Sequence, residues 1–184
     1  MKELVITNNK KKLNTFSYLL LLFIIYGAIG WILETCYAIY NFGYFVKRGF
    51  LYGPFCPIYG YGAVILLVFM DKYKNNSFKL FIYSIIVFSI FEYVAGFALD
   101  ALFATKWWDY TNDFFNLNGR ISIFYSFVWG IFAILFVNHI NPFIEKYTNK
   151  ILKYIPYYVQ VFIIYLLTSI YLIDTAFSTI RYLL

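Results

Sequence analysis

Charge is scarce in this chain: only 13% of its 184 residues are Asp, Glu, Lys or Arg, against about 25% in an ordinary soluble domain. It has one histidine and two cysteines, too few for a zinc site. There is no Ser-His-Asp set, no His-rich metal pattern and no Walker motif, so no metal and no cofactor is expected. What is abundant is apolar: 62% of all residues are apolar and 25% of all residues are aromatic, with a mean hydropathy of +0.69. A soluble domain of this size would have almost no polar skin. A disordered chain, a disulfide scaffold and nearly every soluble enzyme fold are excluded; a polytopic membrane protein remains. The net charge of +6 is spread between apolar runs, which is a topology signal and not a nucleic-acid footprint.

The expected fold is an all-α membrane protein forming a single polytopic domain over 1–184. Five apolar runs, at about 16–40, 53–70, 78–99, 121–138 and 157–180, each approach the ~20 residues of a spanning helix. Short links leave no room for an inserted soluble domain. Lys2, Lys10, Lys11, Lys12, Lys72, Lys74, Lys79, Lys146, Lys150 and Lys153 fall on one side, and Lys47, Arg48, Lys106, Arg120 and Arg181 on the other. This bias puts the N-terminus in the cytoplasm and the C-terminus outside. The first run continues through Trp31 to Tyr40, too long for the apolar part of a cleaved signal peptide.

Membrane-embedded carboxylates cost about 2.5–3.5 kcal/mol each on insertion scales. Glu34, Glu92, Asp100 and Asp174 all fall in the expected outer half. Helical spacing places Gly27, Gly30, Glu34 and Ala38 on one stripe. It also groups Glu92, Gly96 and Asp100, and Asp174, Ser178 and Arg181. Small residues let another helix approach, so these carboxylates face protein, either as polar ties between helices or as a functional cluster. Glu34 followed by Arg48, and Glu92 followed by Arg120, suggest a parallel repeat of two hairpins around a pseudo-two-fold axis. The four residues are then expected to line one outward-opening polar cavity.

The stretch from Arg48 to Gly62 carries Gly49, Gly53, Gly60 and Gly62, with Pro54 and Pro57. The prolines remove two backbone donors and disfavour helix just before them. The second helix is therefore expected to have a broken, Gly/Pro-rich outer start, tolerated at membrane depth only beside protein or a water cavity. Helix-terminal amides there favour an anionic group, and Tyr59 lies in the same stretch. Gly60-Tyr61-Gly62 lacks the Thr-Val and the pore helix of a potassium filter. Cys36 and Cys56 are expected to be reduced and packed, with a disulfide the alternative. His139, alone at the cytoplasmic end of the fourth run, is expected to sit at the interface.

Residues 100–118 are rich in aromatics and acids. Trp107, Trp108 and Tyr110 suit an interfacial belt, or a lid in which Asp109 pairs with Arg48 or Arg120. Asn116, Asn118 and Gly119 suit a turn that starts the fourth helix.

Gly30-Trp31 with Glu34, Lys47 to Leu51, Gly53-Pro54 and Cys56 to Gly60 form one block. Glu92-Tyr93 with Gly96, Trp107 to Tyr110, Phe115-Asn116 and Asn118 to Ile121 form a second. Together they resemble the bacterial "putative ABC-transporter permease" group, also called putative ABC-transporter type IV, over about Gly30–Ile121. The usual pattern of that family has Asn at Lys47 and Ser at Thr111. The resemblance implies a multi-pass protein of the bacterial inner membrane and a permease-like subunit. Its expected partners are membrane lipid, a separate ATP-binding subunit and a second copy of the chain, with no nucleic acid.

The outward site for a small anionic solute is expected at Glu34, Arg48, Glu92, Asp109 and Arg120. Gly49, Gly53, Pro54, Pro57, Tyr59 and Gly60 shape its backbone, and Trp107, Trp108 and Asn116 cover it. Two alternatives stay open. One is an intramembrane enzyme acting on a lipid or lipid-linked substrate, with Arg48 and Arg120 on phosphate and Glu92 or Asp109 as acid or base. The other is an accessory subunit whose ion pairs only tie helices together.

Overall fold

A computed structural model describes residues 12–184; Lys2, Lys10 and Lys11 of the expected topology signal lie outside the described residues. The first helix, α1, runs Thr15–Phe42. Asn14 caps it by accepting from the Ser17 amide at 2.8 Å, and Gly43 ends it at φ 74°, a left-handed position that glycine takes without steric cost. The third helix, α3, spans Ser77–Phe103 and is capped the same way, with Asn76 accepting from the Lys79 amide at 3.0 Å. Between them, residues 43–56 contain no helix.

The second helix, α2, begins only at Pro57 and runs to Ile65. It continues through a wide π-turn, Leu66–Met70, and a tight 3-10 turn, Asp71–Tyr73. Proline at the first helical position loses a donor that would be unpaired anyway. From Pro57 to Tyr73 the chain rises about 25 Å at ~1.5 Å per residue, short of the ~30 Å of a bilayer core.

The fourth helix, α4, spans Ile123–Leu135, capped by the Ser122 hydroxyl. It does not end near Asn138. A π-turn at Phe136–Ile140 leads straight into α5, Asn141–Leu152. Pro142 gives the physical reason. A proline inside a helix leaves the carbonyl four residues earlier unpaired and presses its ring against it. Widening the preceding turn, here around Asn138, lets the helix continue. The last helix, α6, runs Tyr157–Leu183. A small antiparallel hairpin precedes α4, with β1 Asn116–Leu117 paired to β2 Ile121–Ser122. Its turn places Asn118 at φ 54° and Gly119 at φ 68°, the two left-handed residues that Asn-Gly supplies.

Among the described residues the structure is thus all-α apart from that hairpin. Four helices are long and apolar enough to cross a membrane: Thr15–Phe42, Ser77–Phe103, the continuous Ile123–Leu152, and Tyr157–Leu183. Their outward faces carry exposed Phe, Ile, Leu and Tyr along their whole length, as lipid contact requires.

The two hairpins α1–α2 and α3–α4 repeat each other. Gly60 and Gly130 each lie six residues before a π-turn. A Cβ at Gly60 would meet the Phe23 ring, and one at Gly130 the Phe81 ring. Phe23 and Phe81 each precede a glutamate, Glu34 or Glu92, by eleven residues. Leu22 and Leu80, at matching positions, are 1% and 0% exposed, as are Leu66 and Phe136 at 1% and 3%. The core lies between these four helices. α6 stands outside the repeat and buries only Ile164 and Ser178.

Candidate functional site

The stripe Gly27, Gly30, Glu34 and Ala38 faces the non-helical segment and α2. The Phe55 ring occupies the place of a side chain at Gly27, and the Tyr59 ring that at Gly30. Glycine at these two positions is what admits the aromatic rings. The Cys56 amide donates to the Gly27 carbonyl at 3.0 Å, so α2 starts beside the middle of α1. Above that point Arg48 pairs with Glu34 at 3.0 Å, and the Tyr59 hydroxyl donates to the other Glu34 oxygen at 2.6 Å. Glu34, Arg48 and Tyr59 thus form one polar unit. Gly49 bends the chain at φ 86°, and a Cβ there would sit 2.9 Å from the Cys56 sulfur.

Glu92 is 6% exposed. Its oxygens accept from the Tyr110 hydroxyl at 2.8 Å and the Trp129 indole at 3.3 Å. Trp129 is the repeat counterpart of Tyr59, since each directly precedes the matched glycine. In both hairpins, therefore, an aromatic donor of the second helix holds the carboxylate of the first. The Tyr110 ring stacks on Tyr125 at 4.4 Å. Burial and the nearby Glu92 charge push its phenol above the ordinary tyrosine range, keeping it a donor.

The expected pairing of Glu92 with Arg120 is not observed. Arg120 pairs with Asp100 at 2.8 Å, because Asp100 lies two turns above Glu92, level with the start of α4. The guanidinium also lies over Tyr93 and Phe97, 5.7 and 5.4 Å from their centroids. Its Nε is buried with no acceptor. Trp108 closes this region, donating to the Arg120 carbonyl at 2.9 Å and packing over Gly96.

Asp109 pairs with neither Arg48 nor Arg120. It binds Lys106 at 3.2 Å and accepts from the Thr111 amide at 3.0 Å and from the Thr111 hydroxyl. Those Thr111 bonds, then Lys106, hold its carboxyl below the usual aspartate range. The spacing 106–109–111 is short enough for the loop to satisfy itself. Asn116 serves the same loop: its amide donates to the Thr111 and Asp113 carbonyls, and its oxygen accepts from the Gly119 amide. Trp107 reaches across to the first hairpin and to α6, its ring 6.0 Å from Phe50 and 5.4 Å from Tyr182.

The last helix grips the non-helical segment. Asp174 accepts from the Tyr52 amide at 2.9 Å and the Gly53 amide at 2.8 Å. Ser178 accepts from Tyr52 at 3.2 Å and donates to Asp174 at 3.0 Å. Arg181 donates to the Phe50 carbonyl at 2.7 Å, and Tyr182 stacks on Phe50. Lys47 and Arg181 both lie over the Tyr52 ring, at 4.7 and 4.2 Å. Loss of solvation, then the Arg181 charge, lower the Lys47 ammonium from its ordinary value.

Pro57 starts α2, Gly60 faces Phe23, and Pro54 is exposed. Both cysteines are free; Cys56 is buried and Cys36 exposed. His139 lies exposed in the π-turn before α5. A cavity of about 300 Å³ lies beside the hairpin, lined by Phe115, Leu117, Ile121, Ser122, Ile123 and Ser126. Glu34, Arg48, Glu92 and Arg120 do not line it. No group of three or more His, Cys, Asp or Glu among the described residues is placed to hold a metal.

Three partnerships escaped the sequence: Tyr110 and Trp129 with Glu92, and Asp100 with Arg120. Trp129 had a signal. Tyr59-Gly60 with Ala63 and Trp129-Gly130 with Ala133 show the same spacing, and Tyr59 alone was singled out.

Neither a curated protein nor a solved structure shows significant similarity to the chain. The family described as "Putative ABC-transporter type IV" matches residues 21–179, which span most of both hairpins and of α6. The protein is a multi-pass membrane protein and belongs to that ABC-transporter family.

Proposed function

We propose that the protein is the permease-type subunit of a bacterial cell-membrane transporter, working with a separate ATP-binding subunit. It crosses the membrane five times. The second crossing combines the non-helical segment 48–56 with α2, which together run antiparallel to α1 from Glu34 past Gly27 to Phe23. The N-terminus is cytoplasmic and the C-terminus outside. The polar layer formed by Glu34, Arg48, Tyr59, Glu92, Asp100 and Arg120 then faces outward, among lipid, and engages a small anionic solute.

One observation carries the solute reading. Arg120 spends one nitrogen on Asp100, while its Nε is buried with no acceptor. A buried, unpaired donor on a cation costs about 1–3 kcal/mol, and an anionic group beside it would recover that cost. Arg48, more than a third exposed, offers a second cation at the corresponding place of the first hairpin. Glu34 and Glu92 hold aromatic donors, and Asp109 is turned away toward Lys106, so it drops out of the binding set.

Purification of the native protein in mild detergent, with mass spectrometry of its companions, tests the reading. A stoichiometric ATP-binding subunit is expected. A lone chain or homo-oligomer carrying tightly bound lipid would overturn the permease reading in favour of lipid chemistry.

A further inference from the structure

The Phe50–Gly53 backbone has the make-up of an anion seat. Two consecutive amides point at one carboxylate, Tyr52 to one Asp174 oxygen at 2.9 Å and Gly53 to the other at 2.8 Å. The Ser178 hydroxyl adds a third donor. Consecutive amides converging on an oxyanion form a concave nest that binds anions whatever their source. A side chain at Gly53 would put its Cβ 2.9 Å from the carboxylate, so glycine keeps the seat open. Two cations flank it over Tyr52, Lys47 on the segment itself and Arg181 on α6. Arg181 makes no ion pair among the described residues.

The helix that supplies Asp174 is held to the segment mainly by polar contacts from Asp174, Ser178 and Arg181. α6 buries two of its residues, and it has no counterpart in the repeated hairpins. The corresponding loop of the second hairpin closes through its own Asp109, Thr111 and Asn116. Only the first hairpin borrows an anion from a separate helix.

We propose that the Tyr52–Gly53 nest is a binding seat for a carboxylate or phosphate group, occupied by Asp174 while α6 is docked and vacated when α6 withdraws. This deepens the permease reading and rests on it: α6 is the latch, and the solute takes the place of its carboxylate. Lys47 stays beside the seat when α6 withdraws, while Ser178 and Arg181 leave with Asp174, so the incoming anion is held by the two amides and the Lys47 ammonium.

The test uses the full-length protein in detergent with Asp174→Ala. Acetate, inorganic phosphate and a short-chain phosphatidic acid are titrated at constant ionic strength. Thermal unfolding and amide hydrogen exchange over residues 50–56 are recorded. The variant is expected to lose protection at Tyr52 and Gly53 by tenfold or more. The anions should restore it in a saturable way, with a rise in Tm. The wild-type seat should respond at least tenfold more weakly, because Asp174 competes. A response to acetate or phosphate supports a free solute, and one to the phosphatidic acid alone supports a lipid headgroup. If Asp174→Ala does not fold, Asp174→Asn keeps one acceptor and should show the same anion effect in reduced size. No saturable anion effect in a folded variant would overturn the seat. That result leaves co-purification of an ATP-binding subunit untouched, and a missing subunit leaves the anion effect untouched, so the two ideas fail separately.

Discussion

Replacing Tyr110 by Phe removes one hydroxyl and leaves Glu92 Oε1 without its 2.8 Å donor. Glu92 is 6% exposed, and among the described residues no lysine or arginine lies within ion-pair distance of it, so water and cations offer little compensation. The indole of Trp129 can only donate, so both Glu92 oxygens act as acceptors. A hydrogen bond to a charged group contributes about 1.5–3 kcal/mol. The expected cost of Tyr110→Phe is therefore about 2 kcal/mol, read from reversible unfolding in mixed detergent micelles. Trp129→Phe breaks a longer bond of 3.3 Å and disturbs the stack on Phe88; about 1–2 kcal/mol is expected. The decisive comparison uses Glu92→Leu as background. With no carboxylate left to satisfy, Tyr110→Phe should cost under about 0.5 kcal/mol there, a coupling of about 1.5 kcal/mol. Equal costs in both backgrounds would refute the reasoning, and would assign Tyr110's contribution to its ring against Tyr125 instead.

Gly60→Ala should cost about 2 kcal/mol net, because its Cβ would press on the Phe23 backbone carbonyl as well as its ring, and backbone cannot swing away. Gly130→Ala meets only the Phe81 and Ile85 side chains and gains helix propensity of about 1 kcal/mol, so its net effect should be near zero by the same unfolding assay. Glu34→Gln and Arg48→Gln should each destabilise by about 1 kcal/mol, discounted because the pair is partly exposed, and the double variant by less than their sum. Asp109 has a depressed folded value, so its contribution is full above the unfolded value near ~3.9 and is lost as pH falls through the folded one. Amide exchange over residues 109–119, corrected for intrinsic rate, should stay flat from about pH 8 to 5 and rise only in stronger acid. Asp109→Asn should show the raised exchange at every pH. A lipid-permeable maleimide should label exposed Cys36 and spare buried Cys56, measured by intact-mass spectrometry; equal labelling would contradict the packing of Cys56.

The helices were legible because apolar runs declare themselves locally: α1 and α3 start within a residue of the expected runs, and the turn at Asn118-Gly119 lies where the sequence suggests it. The continuation of the fourth helix to Leu152 was not legible. Asn138, His139 and Pro142 look like an end to a span, and only the π-turn shows how the helix absorbs them. At the site, helical stripes grouped Glu34 with Gly30 and Asp174 with Ser178 and Arg181, since contacts along one helix follow from spacing. The partner of Arg120 depended on the relative height of two helices, which spacing within each cannot supply. Glu92 lay one choice away and Asp100 was taken. Asp109 was captured by Thr111 two residues on, a local solution that beat the long-range pairing expected for it.

The outward orientation of the polar layer decides whether the rest of the functional account stands. A pair of fusions at the C-terminus, one with a reporter active only outside the cytoplasm and one with a fluorescent protein that matures only within it, measures this directly. Five crossings, with segment 48–56 and α2 as the second, predict activity of the first reporter and none of the second. Fluorescence at the C-terminus would mean either an inverted five-crossing topology, which carries Glu34, Arg48, Glu92 and Arg120 to the cytoplasmic face, or an even number of crossings, which puts Glu34 and Arg48 on the opposite face from Glu92 and Arg120; either would contradict the outward site.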